Sequence, residues 1–252
     1  MTPRARNPKP GDLSGATAVV LAGGFGTRLR SVVQDRPKVL ALVGGRPFLS
    51  YLLDQLVEAG VARAVLCTGY MAEKVESEYG QAFGPLELVY SVESEPLGTG
   101  GAVGQARAAI DSYPALVLNG DSYCHADLRA LWTKNAECAG DGTLLLARVD
   151  DTSRYGRVDL GENDVLTGFQ EKGDSSGSGW INAGVYVLGS RVIEAIPDAG
   201  AGGAVSLEKD ILPEWVGLGT LYGQRAQGPF LDIGTPQSYA AAERFFAPDQ
   251  SV

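Results

Sequence analysis

An apolar run from Ala16 to Ala22 breaks directly into Gly23-Gly24-Phe25-Gly26-Thr27-Arg28, and no other stretch restricts the fold so tightly. A run this nearly continuous in apolar residues suits a strand buried on both faces, as in a parallel sheet. Glycines at its end let backbone N–H groups come close to an anionic ligand, and Arg28 adds a fixed positive charge. Two common phosphate loops fail on spacing. The dinucleotide fingerprint needs a third glycine where Leu29 stands, and the P-loop needs a Gly-Lys step that the sequence lacks. The bland alternative is a glycine-rich turn between a strand and a helix, with no ligand.

Downstream, strands and helices alternate. Pro47 suits the first position of a helix reaching Ala59, with Phe48, Leu52, Leu56 and Ala59 on one face and Gly60 as its left-handed stop. The spacing then predicts a strand at Ala64–Cys67, a helix at Ala72–Tyr79 and a strand at Leu86–Ser91. A helix at Gly101–Ile110, a strand at Ala115–Leu118, a helix at Asp127–Glu137 and a strand at Thr143–Val149 follow. This alternation predicts an α/β fold with a doubly wound, mostly parallel sheet. After Asp150 the pattern changes to a hairpin, Arg157–Leu160 against Val165–Phe169, then a strand at Ile181–Leu188. Ser206 caps a short helix through Trp215, a strand in Gly-Pro-Phe-Leu-Asp-Ile-Gly stops at a site, and Thr235-Pro236 opens a terminal helix that turns Tyr239, Ala242, Phe245 and Phe246 inward. The expected organisation is a loose arm over 1–15 and one catalytic domain over 16–247, with a nucleotide half to about 150 and a small mixed hairpin lobe for the sugar over 151–247. Residues 173–179, GDSSGSG, have flexible-linker composition.

Composition narrows the class of function. With 252 residues, 44% hydrophobic and 20% charged, the chain can bury a core, so disorder is excluded. A formal net charge of −9 argues against a nucleic-acid or anionic-membrane surface, and any polyanionic ligand needs a local basic site. Cys67, Cys124 and Cys138 fit neither a disulfide framework nor a CxxC zinc site; they are expected as buried thiols in a reducing, cytoplasmic setting. His125, the single histidine, rules out His-cluster metal sites. No apolar run reaches the roughly 18 residues of a membrane span, and the first 15 residues lack the apolar core of a signal peptide.

Leu21-Ala22-Gly23-Gly24-Phe25-Gly26-Thr27-Arg28-Leu29, followed by Arg36-Pro37-Lys38, closely resembles the signature of the sugar-1-phosphate nucleotidyltransferases. Further landmarks of that family follow in order: Glu95-Pro-Leu-Gly-Thr-Gly-Gly101, Asn119-Gly-Asp121, Glu171-Lys172, Asn182-Ala-Gly184 and Asp232-Ile-Gly-Thr-Pro236. The resemblance runs from about residue 16 to 245 and implies a Rossmann-like, GT-A-like sheet.

The reaction it implies is attack by the phosphate oxygen of a sugar 1-phosphate on the α-phosphorus of a nucleoside triphosphate, which calls for positioning and charge neutralisation. It places Arg28 and Lys38 beside the triphosphate, and puts Leu21, Ala22, Gly23, Gly24, Gly26, Thr27, Gly98 and Thr99 on the nucleotide. Asp121 and Asp232, each at a strand end, are implied ligands of Mg²⁺, Asp121 being also catalytic; two converging carboxylates make a hard oxygen site. Glu171 and Lys172 are expected on the sugar phosphate, Asn182 and Gly184 on the sugar, with residues 173–179 as a lid. Much of the glycine excess, 34 in all, falls where family ligand contacts would lie, including Gly100, Gly101, Gly120 and Gly234. Relatives often form dimers or tetramers, so a homo-oligomer is expected.

Glu93 carries the choice of base. Relatives that use thymidine or uridine triphosphates have glutamine there, whereas an ionised carboxylate accepts only and matches the parallel N1–H and 2-amino donors of guanine. GTP is therefore the expected donor. The wording of Arg28-Leu-Arg-Ser-Val-Val, Arg46-Pro-Phe-Leu-Ser-Tyr-Leu-Leu and Leu118-Asn-Gly-Asp is most similar to the guanylyltransferases of D-glycero-α-D-manno-heptose 1-phosphate, with mannose-1-phosphate guanylyltransferases next. Cys124 and His125 depart from the family pattern and bear on the sugar pocket. Two other classes stay open: a silent sensor of nucleotide sugars, which would be expected to lose Arg28, Lys38, Asp121 or Asp232, and a metal-dependent glycosyltransferase, whose Asp-x-Asp is absent at Asp121-Ser-Tyr123.

Overall fold

The computed structural model describes residues 11–170, 177–198 and 203–247. The opening run forms β1 (Thr17–Leu21), and its residues face both sides of the sheet: Ala18 and Val20 enter one core, Val19 the other. A minimal hairpin of β2 (Leu42–Val43) and β3 (Arg46–Pro47) leads into α1 (Phe48–Ala59). Pro47 corrects the sequence reading by one position: it precedes the helix with extended backbone, because it pairs with Leu42 in the hairpin. Gly60 ends α1 at φ 85°, as expected. Then come β4 (Arg63–Thr68), α2 (Ala72–Tyr79), β5 (Ala82–Phe83), β6 (Leu86–Val92), α3 (Gly98–Ala106), β7 (Ala115–Asn119), β8 (Ser122–Cys124), α4 (Leu128–Cys138) and β9 (Gly142–Val149). The remainder is β10 (Arg157–Leu160), β11 (Leu166–Gln170), β12 (Gly179–Leu188), α5 (Ser190–Ala195), α6 (Leu212–Gly217), β13 (Leu221–Arg225), β14 (Phe230–Asp232) and α7 (Pro236–Phe245).

The main sheet runs β11-β10-β12-β7-β1-β4-β6-β5, with β9 beside β12 and β13 beside β9. Its centre, β7-β1-β4-β6, is parallel, and β12 turns it antiparallel from β7 outward, so the sheet is mixed. Helices cover both faces. Buried residues of α1, α4 and α7 pack on one side, and those of α3, α5 and α6 on the other. The chain leaves β1 toward β4 and β6 on one side, then returns through α3 to β7 on the other. The order therefore reverses between β1 and β7, where open α/β sheets bind ligands beyond the carboxyl ends of their strands.

Thr235 caps α7 as read, in a reciprocal box with Ser238. Asp127, read as the first residue of its helix, instead caps α4 by accepting from the N–H groups of Arg129 and Ala130. The expected loose arm is narrower than 1–15, because Leu13 is 1% exposed and belongs to the core, while residues 1–10 lie outside the described part. Cys67 and Cys124 are buried and Cys138 half-buried; burial pushes the Cys124 thiol up to about 12 and the Cys67 thiol higher still. Among the described residues, no helix is long and apolar enough to cross a membrane.

Candidate active site

A cleft of about 510 Å³ opens over the carboxyl ends of β1 and β7. One wall is the glycine run: Leu21, Ala22, Gly23, Gly24 and Phe25 line it, together with Arg28. Ala22 keeps the strand in register by donating to the Cys67 carbonyl at 2.7 Å. The chain then passes through turns, with no helix directly after the glycines, to a 3-10 turn at Lys38–Leu40. Val39 and Leu40 are buried and hold that turn, so the Lys38 side chain, 10% exposed, points into the cleft. There its Nζ donates to Asp121 Oδ2 at 2.6 Å. Gly26 and Thr27, expected on the nucleotide, are not on the cleft wall; Gly26 instead packs against the Lys38 stem, where a Cβ would lie 2.9 Å from Lys38 Cβ.

Asp121 and Asp232 are brought together by β8 and β14, which pair antiparallel with Asp232 opposite Ser122. Ile233 donates its N–H to the Asp121 carbonyl at 2.9 Å, and both carboxylates line the cleft. Asp232 accepts from Tyr155 Oη at 2.5 Å, from the Gly234 N–H at 2.8 Å, and from Arg154 Nη2 at 3.3 and 3.2 Å on its two oxygens. Burial and the Asp232 carboxylate push the Tyr155 phenol upward, so it stays a donor. Arg28 belongs to the same corner, since a Cβ on Gly234 would lie 3.8 Å from Arg28 Nη2 and 3.6 Å from Lys38 Nζ.

Charge decides what this corner accepts. The described lining carries Arg28, Lys38, Arg154 and Lys209 against Glu93, Asp121, Glu208 and Asp232. The expected concentration of positive charge is therefore cancelled within the cleft itself, and a triphosphate needs a further cation. Two oxygen-donor carboxylates, Asp121 in the turn before β8 and Asp232 at the end of the paired β14, suit a hard dication that takes its other ligands from phosphate and water. No group of three or more metal-binding side chains occurs among the described residues.

Glu93 sits just past β6, anchored by its N–H to the Thr68 carbonyl at 2.7 Å. Its Oε2 accepts from the Leu97 N–H at 3.1 Å, and its Oε1 faces Gly23, where a Cβ would come within 2.6 Å. Burial raises the Glu93 carboxyl above its usual range, and the Leu97 N–H opposes that shift.

The start of α3 corrects the sequence reading. Gly100 and Gly101 both donate to the Val205 carbonyl, at 2.8 and 3.1 Å, and Val205 donates to the Leu97 carbonyl at 2.7 Å. Val205 thus takes up the N–H groups of Gly100 and Gly101, two glycines expected where ligand contacts would lie. Gly98 is required there twice over, by φ 77° and by the Val205 oxygen 2.4 Å from where a Cβ would sit. Gly120 likewise serves packing, donating to the Leu21 carbonyl at 2.9 Å across the β1/β7 switch. Gly98 and Thr99 still line the cleft, but the Thr99 hydroxyl donates to Glu208 Oε2 at 2.6 Å and accepts from the Leu207 N–H at 2.9 Å.

On the far wall, Asn182 and Gly184 line the cleft as expected. Asn182 is fixed from both ends: its amide donates to Tyr186 Oη at 2.7 Å, and its carbonyl accepts the Gly184 N–H at 3.0 Å. The fully buried Tyr186 donates in turn to Glu208 Oε1 at 2.8 Å. Glu208 lies on a π-helical turn, Leu207–Ile211, capped by Ser206. Glu171, Lys172 and most of the 173–179 lid lie outside the described residues. Cys124 and His125 do not line the cleft; Cys124 is buried and its carbonyl accepts from Gln55 Nε2, while His125 is exposed. The sequence reading missed Arg154, Tyr155, Phe25 and Glu208. Arg154 meets Asp232 across 78 positions, and Glu208 reads as an ordinary acidic residue in a capped first turn, so neither carries a local signal.

The nucleotidyl transferase family profile matches residues 17–248. D-glycero-alpha-D-manno-heptose 1-phosphate guanylyltransferase of Aneurinibacillus thermoaerophilus is 35% identical over 227 residues, covering 90% of this chain and 96% of that protein. Mannose-1-phosphate guanylyltransferase of Mycobacterium tuberculosis is 37% identical over 226 residues, 88% of this chain, which spans 62% of that relative. The crystal structure of HddC from Yersinia pseudotuberculosis complexed with GMP-PN superposes with a TM-score of 0.79 at 34% identity, covering 92% of this chain and all of that one.

Proposed function

Since the chain belongs to the nucleotidyl transferase family, we propose that it transfers a guanylyl group from GTP to a sugar 1-phosphate, with D-glycero-α-D-manno-heptose 1-phosphate as the favoured acceptor. A phosphate oxygen of the sugar 1-phosphate attacks the α-phosphorus, the bond to the β-phosphate oxygen breaks, and pyrophosphate leaves with its electron pair. The observation that carries this reading is the convergence in one cleft of Gly23, Gly24, Arg28, Lys38, Glu93, Asp121, Asn182, Gly184 and Asp232, which come from segments across the whole chain.

Arg28 and Lys38 neutralise the triphosphate and the departing pyrophosphate. Glu93 presents its Oε1 to the paired donors of guanine while the Leu97 N–H holds its other oxygen. Asn182, locked by Tyr186 and Gly184, orients the sugar, with Glu171 and Lys172 on its phosphate. Residues 16–150 thus serve the nucleotide and 151–247 the sugar. Members of this family work with a divalent metal; Mg²⁺ would be held here by Asp121 and Asp232 and would offset charge on the phosphate oxygens. A homo-oligomer, as in many relatives, is part of the same reading, and light scattering checks it.

Phosphorus NMR of a reaction with GTP and the heptose phosphate tests the class of chemistry. Pyrophosphate and a GDP-sugar are expected; a glycosyltransferase would give neither, and would release GDP only when supplied with a GDP-sugar and an acceptor. Mannose 1-phosphate is the second reading, on the 37% identity to the mycobacterial relative.

A further inference from the structure

Asp232 and Asp121, the two proposed metal ligands, are each held by a cation of the chain itself. On Asp121 it is Lys38, which is 10% exposed and fixed by its turn; on Asp232 it is Arg154, which is 43% exposed. The backbone beneath Arg154 is rigid. Thr152 is fully buried and accepts the Tyr155 N–H at 2.9 Å, and the Asp151 carboxylate accepts both the N–H and the hydroxyl of Ser153. Tyr155 is also fixed, its ring edge-on to Phe230 at 5.4 Å. The Arg154 side chain is not. Among the described residues it bonds to nothing but Asp232 and otherwise lies over the Tyr155 ring, 5.3 Å from its centroid. A single nitrogen, Nη2, straddles both carboxylate oxygens, where a two-pronged fork would be the stronger pairing.

We infer that Arg154 is a placeholder for the metal: it neutralises Asp232 while the cation is absent, gives up the carboxylate when the cation arrives, and moves onto substrate phosphate. This rests on the assignment of Asp121 and Asp232 as metal ligands. Tyr155 keeps Asp232 aimed throughout, because its hydrogen bond does not depend on Arg154. The released guanidinium has a planar set of donors suited to phosphate oxygens, and its anchored backbone leaves it in the cleft. Such an exchange keeps the site from binding metal strongly before the nucleotide comes, and it couples the two binding steps.

The test measures Mn²⁺ binding by paramagnetic resonance on the folded protein without nucleotide. Removing a competing charge a few ångströms from the ligand is expected to tighten Mn²⁺ binding in Arg154→Gln by about tenfold. Arg154→Lys, which keeps the charge, should bind Mn²⁺ like the parent. In the presence of saturating Mn²⁺, Arg154→Gln should bind pyrophosphate about tenfold more weakly. Unchanged or weaker Mn²⁺ binding in Arg154→Gln, with thermal unfolding showing an intact fold, would overturn the inference, since a purely structural role gives no tightening. If neither the parent nor Arg154→Gln binds Mn²⁺, with or without GTP, the metal assignment falls and takes this inference with it. If the parent binds Mn²⁺, Asp232→Asn does not, and Arg154→Gln matches the parent, the inference fails alone.

Discussion

Lys38 Nζ lies 2.6 Å from Asp121 Oδ2, joining the turn that follows the glycine run to the end of β7. The contact fixes the two sides of the β1/β7 switch relative to one another and leaves a cation beside a carboxylate in the cleft. In Lys38→Met the apolar stem is kept and the charge is lost. Initial-rate kinetics should show kcat/KM lowered by about 10²–10³, the usual cost of removing one charge-stabilising group from a transition state, with far-ultraviolet circular dichroism unchanged.

Glu93→Gln should relax the choice of base. The carboxylate only accepts, whereas the amide brings a donor to the same place, so preference for GTP over the other triphosphates should fall by about 10- to 100-fold in competition assays. Retained preference would refute the role of Glu93.

The same residue predicts a pH dependence. Burial raises the Glu93 carboxyl, so its protonated form is favoured in the folded protein. GTP affinity should decline as pH falls through that raised value, beginning at a higher pH than for an ordinary carboxylate, and Glu93→Gln should be flat there. For stability the sign is opposite: a raised acid loses stabilisation as pH rises from its unfolded to its folded value, so the variant should be the more stable at neutral pH. Isothermal titration and melting curves from pH 4 to 8 read both effects.

Gly98→Ala should be strongly destabilising although no ligand is involved. The added Cβ meets the Val205 carbonyl and the residue keeps a left-handed φ, which together cost about 2–4 kcal/mol, or on the order of 5–10 °C in melting temperature. A loss of under about 1 °C would contradict the packing described at α3.

Tyr186→Phe removes the link between Asn182 and Glu208. Two polar groups lose a partner, so stability should drop by about 1–3 kcal/mol. The KM for sugar phosphate should rise more than kcat falls, because Asn182 loses the contact that orients it. A variant with parent KM would show that Asn182 is held some other way.

These contacts mark where local sequence signals stop. β1, the Gly60 stop of α1 and the Thr235 cap of α7 were readable because each depends on neighbours within a few positions. The family landmarks located Lys38, Glu93, Asp121, Asn182 and Asp232, all of which line the cleft. The start of α3 was not readable: Gly98, Thr99, Gly100 and Gly101 are poor helix formers, and they are helical because the segment around Val205 binds their N–H groups. The direction of β12 was also hidden, since whether it runs with or against β7 depends on a path across the molecule. Arg154 and Glu208 were missed for the same reason, their partners being remote in the chain.

Pyrophosphate release, measured for GTP, ATP, UTP and dTTP against the 1-phosphates of heptose, mannose and glucose with Mg²⁺, tests the central claim most directly. The account predicts fastest release with GTP and D-glycero-α-D-manno-heptose 1-phosphate, abolished in Asp232→Asn. Absence of pyrophosphate with every pair, from folded protein, would contradict it.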